Sequence, residues 1–229
     1  MLGPVELNMR EARVLGSLME KELTTPQQYP LTLNSLLAAC NQASNRDPVV
    51  QYEEQSIVST LDELKQRRLV RFVLPSHGRS VVRYRHILDE TLALDVRQRA
   101  LLAVLLLRGP QTIGELRGRT ERMARFDGSD ELEHELAYLA AREEPLVSCL
   151  GRRPGQKEDR WACLLAPLLG IDRFDREPDG WTESEGIDGS SVQSQSHHRE
   201  DLRLELAELR NEVRDLRREL DELRSSLGG

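Results

Sequence analysis

Leu69-Val70-Arg71-Phe72-Val73-Leu74, then Pro75-Ser76-His77-Gly78-Arg79-Ser80, then Val81-Val82-Arg83-Tyr84-Arg85-His86 reads as strand, turn and returning strand, because two β-branched runs flank a Pro/Gly cluster. Three helical patterns precede this hairpin. Asn8 and Glu11 have capping-box spacing, and Ala12, Val14, Leu15, Leu18 and Met19 follow at helical intervals. Pro26 and Pro30 interrupt the chain. A second helix is expected over residues 31–42, with Leu33, Leu36, Leu37 and Cys40 on one face. Residues 41–48 have the composition of a loop, since Asn, Asp, Ser and Pro constrain or bond to local backbone. A third helix is expected over residues 53–68, buried along Ile57, Leu61 and Leu64. Three helices and a hairpin make a winged helix-turn-helix, in which the last two helices form the helix-turn-helix and His77-Gly78-Arg79 the wing tip.

The plan repeats over residues 89–165. An apolar helix ends near Leu107, stopped by Gly109-Pro110, because proline has no N–H with which to continue the ladder. Residues 112–117 open a short helix, and Ser129 is placed to cap a third over residues 130–142, with Leu132, Leu136 and Leu139 inward. Residues 145–150 and 160–165 read as strands around a second wing tip at 151–157. The expected fold class is α+β, mainly α with small β-hairpins. The expected domains are winged helices at 1–88 and 89–165, a flexible acidic linker at 166–198 and a parallel coiled coil at 199–229.

Composition agrees with this outline. Charged residues are 31% and aromatics 4%, which suits a helical, surface-rich protein better than a β-sandwich or barrel. The longest apolar run, residues 100–107, has eight residues, against about 20 for a membrane span. The N-terminus has neither the basic nor the apolar region of a secretory signal. Cys40, Cys149 and Cys163 lack metal-ligand spacing and read as buried, reduced thiols of a cytoplasmic protein. The net charge of −7 is unevenly spread. Residues 1–90 hold 11 basic and 11 acidic side chains, and residues 91–166 hold 12 of each. The acidic excess therefore lies wholly in the last third, and an anion-binding face further up the chain must come from local clustering.

The tail carries a heptad seam. Leu202, Leu206, Leu209, Val213, Leu216, Leu220, Leu223 and Leu227 recur at alternating steps of four and three, the spacing of a and d positions. Glu205, Glu212 and Glu219 then occupy g, and Arg210, Arg217 and Arg224 occupy the e positions they face in a parallel pair. An antiparallel pair would set like charges together, so the pattern selects parallel self-association. Leucine at both a and d permits dimer or trimer, and Val213 leans towards the dimer.

Four stretches resemble the YceH-like family of bacterial proteins: Asn41-Gln42-Ala43-Ser44-Asn45-Arg46-Asp47-Pro48, Arg83-Tyr84-Arg85-His86, Arg108-Gly109-Pro110-Gln111-Thr112-Ile113-Gly114-Glu115-Leu116-Arg117 and Pro154-Gly155-Gln156-Lys157-Glu158. They occur in the family's order, and the similarity covers about residues 6–166. The resemblance implies tandem winged helices and a terminal coiled coil, and it carries no catalytic residues across.

The favoured expectation is a DNA-binding, regulator-like dimer, with double-stranded DNA as partner. Phosphate contacts are expected from Arg46, Arg79, Arg83 and Arg85 in the first unit, and from Arg117, Arg119, Arg122, Arg125, Arg152, Arg153 and Lys157 in the second. Gln55, Ser56 and Ser59 are the candidate base readers. Two features oppose docking by the third helices. One begins Glu53-Glu54, and the other carries Asp130, Glu131, Glu133 and Glu135, an arrangement costly against phosphates. The second unit is therefore expected to use Arg117–Arg125 or its wing. The alternative is a protein-interaction adaptor whose acidic helices suit a basic partner, with the coiled coil adding avidity. No enzyme is expected: His77, His86 and His134 are dispersed, His197-His198 lies in the linker, and no phosphate-binding glycine loop or Cys/His metal set is present. No cofactor, catalytic residue, metal or membrane contact is assigned.

Overall fold

The computed structural model describes residues 5–74, 81–152 and 156–166. The wing tips containing Arg79 and Arg153, the linker from residue 167 and the whole heptad seam lie outside the described residues.

The described elements are α1 (Met9–Thr24), a 3-10 turn (Pro26–Gln28), β1 (Leu31–Thr32), α2 (Leu33–Cys40), α3 (Glu54–Gln66), β2 (Val70–Val73), β3 (Arg83–His86), α4 (Leu88–Leu92), α5 (Val96–Arg108), α6 (Ile113–Thr120), α7 (Ser129–Ala140), β4 (Val147–Cys149) and β5 (Trp161–Cys163). The fold is thus mixed helix with two small antiparallel sheets, ordered β1-β3-β2 and β4-β5. Leu31 pairs with Tyr84, and Phe72 with Tyr84 from the other side. The second half has a matching feature. Gln111, just ahead of α6, forms a two-way backbone bridge with Trp161 of β5. Each half therefore sends a short extended segment, immediately before its second helix, onto the returning strand of its hairpin.

The capping box expected at the start of the first helix is present, and two others accompany it. Asn8 and Glu11 form a capping box, as do Asp95 with Gln98 and Thr112 with Glu115. Two local expectations need correction. Residues 31 and 32 are strand rather than helix, because Thr32 accepts from Ser35 N as the N-cap of α2 while Leu31 joins the sheet. Ser129 is the first helical residue of α7 and does not cap it. Gly128 holds the cap position, and the Glu131 carboxylate takes the Asp127 N–H at 2.7 Å.

The core runs through both halves. Helix α1 packs along α5 and also against α2, α3 and β3, so residues 11–20 are buried on every side, Glu11, Arg13, Ser17 and Glu20 included. On the other side of the contact, Ala100–Leu107 is buried throughout. The described residues fall in one compact unit, and the boundary drawn at 88/89 lies inside α4.

The charged groups within this core are paired. Glu11 accepts from Arg67 at 2.6 Å, and Arg13 donates to the carbonyls of Cys40 and Pro48. Between the halves, buried His86 lies 3.0 Å from Glu22, which also pairs with Arg99 of α5. Burial raises the Glu22 carboxyl, but its bond to His86 and the neighbouring cations outweigh this and hold it below its ordinary value.

Candidate nucleic-acid interface

The basic residues of the second unit are set out by α6 and the turn after it. Gly109 ends α5 at φ 70°, a left-handed φ that favours glycine, and Thr112 and Glu115 then fix the start of α6. Arg117 and Arg119 lie in the last turn of α6, where cations complement the helix dipole. The chain tightens beyond them, with the N–H groups of Met123 and Ala124 both bonded to Thr120 O. This turn carries Arg122 and Arg125.

Arg97 anchors the turn from outside. It donates to Arg125 O, pairs with Glu131 and stacks over Phe126 with 6.0 Å to the ring centroid. The sequence reading did not single it out, since its partners lie about one helix pair away along the chain. Arg117, Arg122 and Arg125 are exposed and meet no carboxylate among the described residues. Arg119 is half-buried and reaches only the Glu115 carboxylate, at 3.8 Å. Glu115 is itself engaged more closely by Arg160, at 2.8 Å.

In the first unit the hairpin sits against α3. The Phe72 and Tyr84 rings meet edge to face at 4.9 Å, and Lys65 lies 4.3 Å over Phe72. Arg83 is exposed and donates to Pro30 O. Arg85 pairs with Glu90, which also takes Arg71. Gln55 and Ser59 are exposed on α3, and Ser56 is half-buried. The Ser59 hydroxyl donates to Gln55 O. In the second hairpin Arg152 is exposed and paired with Asp159, while Lys157 is exposed.

Arg46 corrects the expectation. Its side chain has no exposed surface. The guanidinium forks onto Glu20 at 2.7 and 3.1 Å, and also donates to the Ala39 and Asn45 carbonyls and to Gln42. It ties the loop to α1 and offers nothing to a ligand. Arg13 holds the same loop from its other end, so residues 41–48 are pinned by two buried arginines.

The cysteines also divide. Cys40 and Cys163 are buried, and burial pushes their thiols up to about 11 and about 12, which leaves them unreactive at neutral pH. Cys149 is exposed, contrary to expectation, because it ends β4 at the edge of a two-stranded sheet. Among the described residues no group of three His, Cys, Asp or Glu could hold a metal ion. No described helix is long and apolar enough to cross a membrane.

The model of a bacterial family, described as "Protein of unknown function, DUF480", matches residues 7–156. The chain belongs to this family. Its DUF480 relatives include a UPF0502 protein of Geobacter sulfurreducens, 52% identical over 76% of this chain and 80% of the relative. A UPF0502 protein of Geotalea daltonii is 54% identical over 71% and 73%, and one from Koribacter versatilis is 45% identical over 85% and 89%. Three of the four stretches that resemble the family are structural joints in this chain, and the fourth, residues 154–158, lies partly outside the described residues. Residues 41–48 form the pinned loop, residues 83–86 are β3 with buried His86, and residues 108–117 turn α5 into α6.

Proposed function

We propose that this DUF480 protein binds double-stranded DNA through two winged helix-turn-helix units, held as a parallel dimer by the heptad seam. The observation that carries the reading is the set of exposed arginines Arg117, Arg122 and Arg125, at the end of α6 and in the following turn, which meet no carboxylate among the described residues. In a helix-turn-helix this is the part that meets the phosphate backbone. The winged reading is supported by the order of three helices and a hairpin in each half, and by the matched bridges of Leu31 and Gln111 onto the returning strands.

The third helices are poor groove readers. Glu54 and Asp62 are exposed on α3, as are Asp130 and Glu133 on α7, and carboxylates facing phosphates oppose binding. Affinity therefore comes from the α6 arginines, with Arg83 and the first hairpin contributing, and sequence selectivity is weak. The second reading, an adaptor for a basic protein, is favoured by one specific observation: Tyr138 is 54% exposed on the same helix as Asp130 and Glu133. Exposed aromatics are enriched at protein contacts, and the carboxylates of the same helix suit a basic partner.

Fluorescence anisotropy against a mixed-sequence duplex, titrated with salt, separates the two. Each phosphate contact contributes about −0.9 to the slope of log affinity on log salt. Changing Arg117, Arg122 and Arg125 together to glutamate is expected to flatten that slope by roughly three units and to weaken binding equally for all sequences. Absence of binding by the wild-type chain at low salt overturns the DNA reading and moves attention to the exposed face of α7.

A further inference from the structure

A cleft of about 170 Å³ opens where the end of α1, the loop at Asn45, the end of α5 and helix α6 meet. Its charged lining is Glu20, Arg108, Arg119 and Arg122, with Asn45 and Gly118 beside them. Glu20 is already neutralised by Arg46. Arg119 has only the distant contact to Glu115, and Arg122 has no carboxylate among the described residues. Three guanidiniums therefore line one space, and among the described residues no carboxylate hydrogen-bonds to any of them. Arg108 is held in place by one bond, from Nη1 to Asn45 Oδ1 at 2.8 Å, while its Nε–H is buried and has no acceptor. A buried charged donor left without an acceptor is costly, and an oxyanion in the cleft would supply one. Burial first, and the Arg119 charge second, hold Arg108 below the usual guanidinium range, and they outweigh the opposing pull of Glu115 and Glu20.

From this geometry we infer that the Arg108–Arg119–Arg122 cleft is a phosphate-recognition site. The space suits an oxyanion with a few waters and is too small for a drug-sized ligand, which needs about 300 Å³ or more. Guanidinium forks match phosphate oxygens in geometry as well as charge. Arg119 from the last turn of α6 and Arg122 from the turn that follows both line the cleft, and Arg108 approaches from the end of α5. Gly118 leaves the wall open, since a Cβ there would meet nothing within 4 Å. The site goes beyond the DNA reading, which rests on Arg117 and Arg125 as well and needs no enclosed space. The phosphate belongs either to a nucleic-acid backbone or to a small phosphorylated molecule.

The test is calorimetric titration of the full chain with inorganic pyrophosphate in low-chloride buffer. Saturable binding at one site per chain is expected. Gly118→Asp, which sets a carboxylate into the open wall without a clash, is expected to weaken it by about tenfold or more, and Arg122→Gln by a similar factor. Arg10→Gln, exposed in the first turn of α1 and not part of the lining, is expected to leave it unchanged. No saturable binding, or equal binding by all three variants, overturns the site. Adding a duplex with hydroxyl ends identifies the source. Displacement of pyrophosphate assigns the group to the DNA backbone, and coexistence assigns it to a small ligand; either result keeps the site. Duplex binding that persists without a pyrophosphate site removes this inference alone, whereas pyrophosphate binding without duplex binding removes the DNA reading alone.

Discussion

Replacing Arg46 by alanine is expected to lower the stability of the fold by about 3–5 kcal/mol, the usual loss when one partner of a buried ion pair is removed. The size follows from what is left behind. Glu20 stays buried in α1 with only Lys21, at 3.4 Å, to offset its charge, and the carbonyl of Ala39 loses its guanidinium donor. Lysine should recover only part of the loss, since it lacks the planar fork that spans both Glu20 oxygens. Urea denaturation with an unchanged m-value measures the effect.

The loss also has a signed pH dependence. Burial raises the Glu20 carboxyl, but the bond and charge of Arg46 outweigh it and carry the group below its ordinary value. A carboxyl depressed in the folded state adds stability that is complete above its unfolded pKa, about 4.3, and is lost as pH falls through the folded value. In the alanine variant the main depressing partner is gone. The gap between the two proteins should therefore be wide at pH 7 and shrink as the pH is taken below about 4. A gap under about 1 kcal/mol at neutral pH, or one that does not change with pH, would show that Arg46 is not the internal tie described above. A flattened salt slope in duplex binding, with the fold intact, would restore it as a phosphate contact.

Arg46 also shows what kind of information the sequence held. Composition marks residues 41–48 as a loop, and they are one. It does not say which way a loop arginine turns, because its partner Glu20 lies 26 residues earlier on a helix that periodicity reads as amphipathic. Helix α1 departs from that reading because it has neighbours on every side, so Arg13 and Glu20 are enclosed where a surface helix would expose them. Signals that act within one turn were legible: the Asn8–Glu11 box, the Leu132, Leu136 and Leu139 stripe, and the stop at Gly109. Features made by distant partners were not, among them the two-residue strand at Leu31, short α4, and Arg97 under the α6–α7 turn. The exposed arginines Arg117, Arg122 and Arg125 were legible as part of a dense basic cluster. The cleft was not, because Asn45, Arg108 and Arg122 come together only when the loop of the first half meets the second, where Asp47 N bonds to Leu107 O at 2.9 Å.

That meeting depends on Gly16, and Gly16→Val is expected to cost about 3 kcal/mol, at the upper end for overpacking a close-packed contact. A Cβ at this position would sit 2.9 Å from Leu107 Cγ and 3.1 Å from Leu106 Cβ. Neither atom is the free end of a flexible chain, so α5 itself must move. Glycine in a helix interior ordinarily costs about 1 kcal/mol relative to alanine, and here the approach of two helices opposes that gain. A glycine replacement at an open position supplies the control. Gly118→Ala meets nothing and is expected to stabilise by roughly 0.5–1 kcal/mol. Thermal unfolding by circular dichroism should thus move the two proteins in opposite directions, with Gly16→Val lower by about 6–12 °C for a chain of this size. A Gly16→Val protein as stable as wild type would mean that α1 and α5 do not approach as described. The consequence extends beyond stability, because Leu107 and Arg108 end α5 and line the cleft. A displacement of α5 away from residue 16 shifts Arg108 relative to Asn45, so the Gly16 variant should lose pyrophosphate affinity even at temperatures where it remains folded.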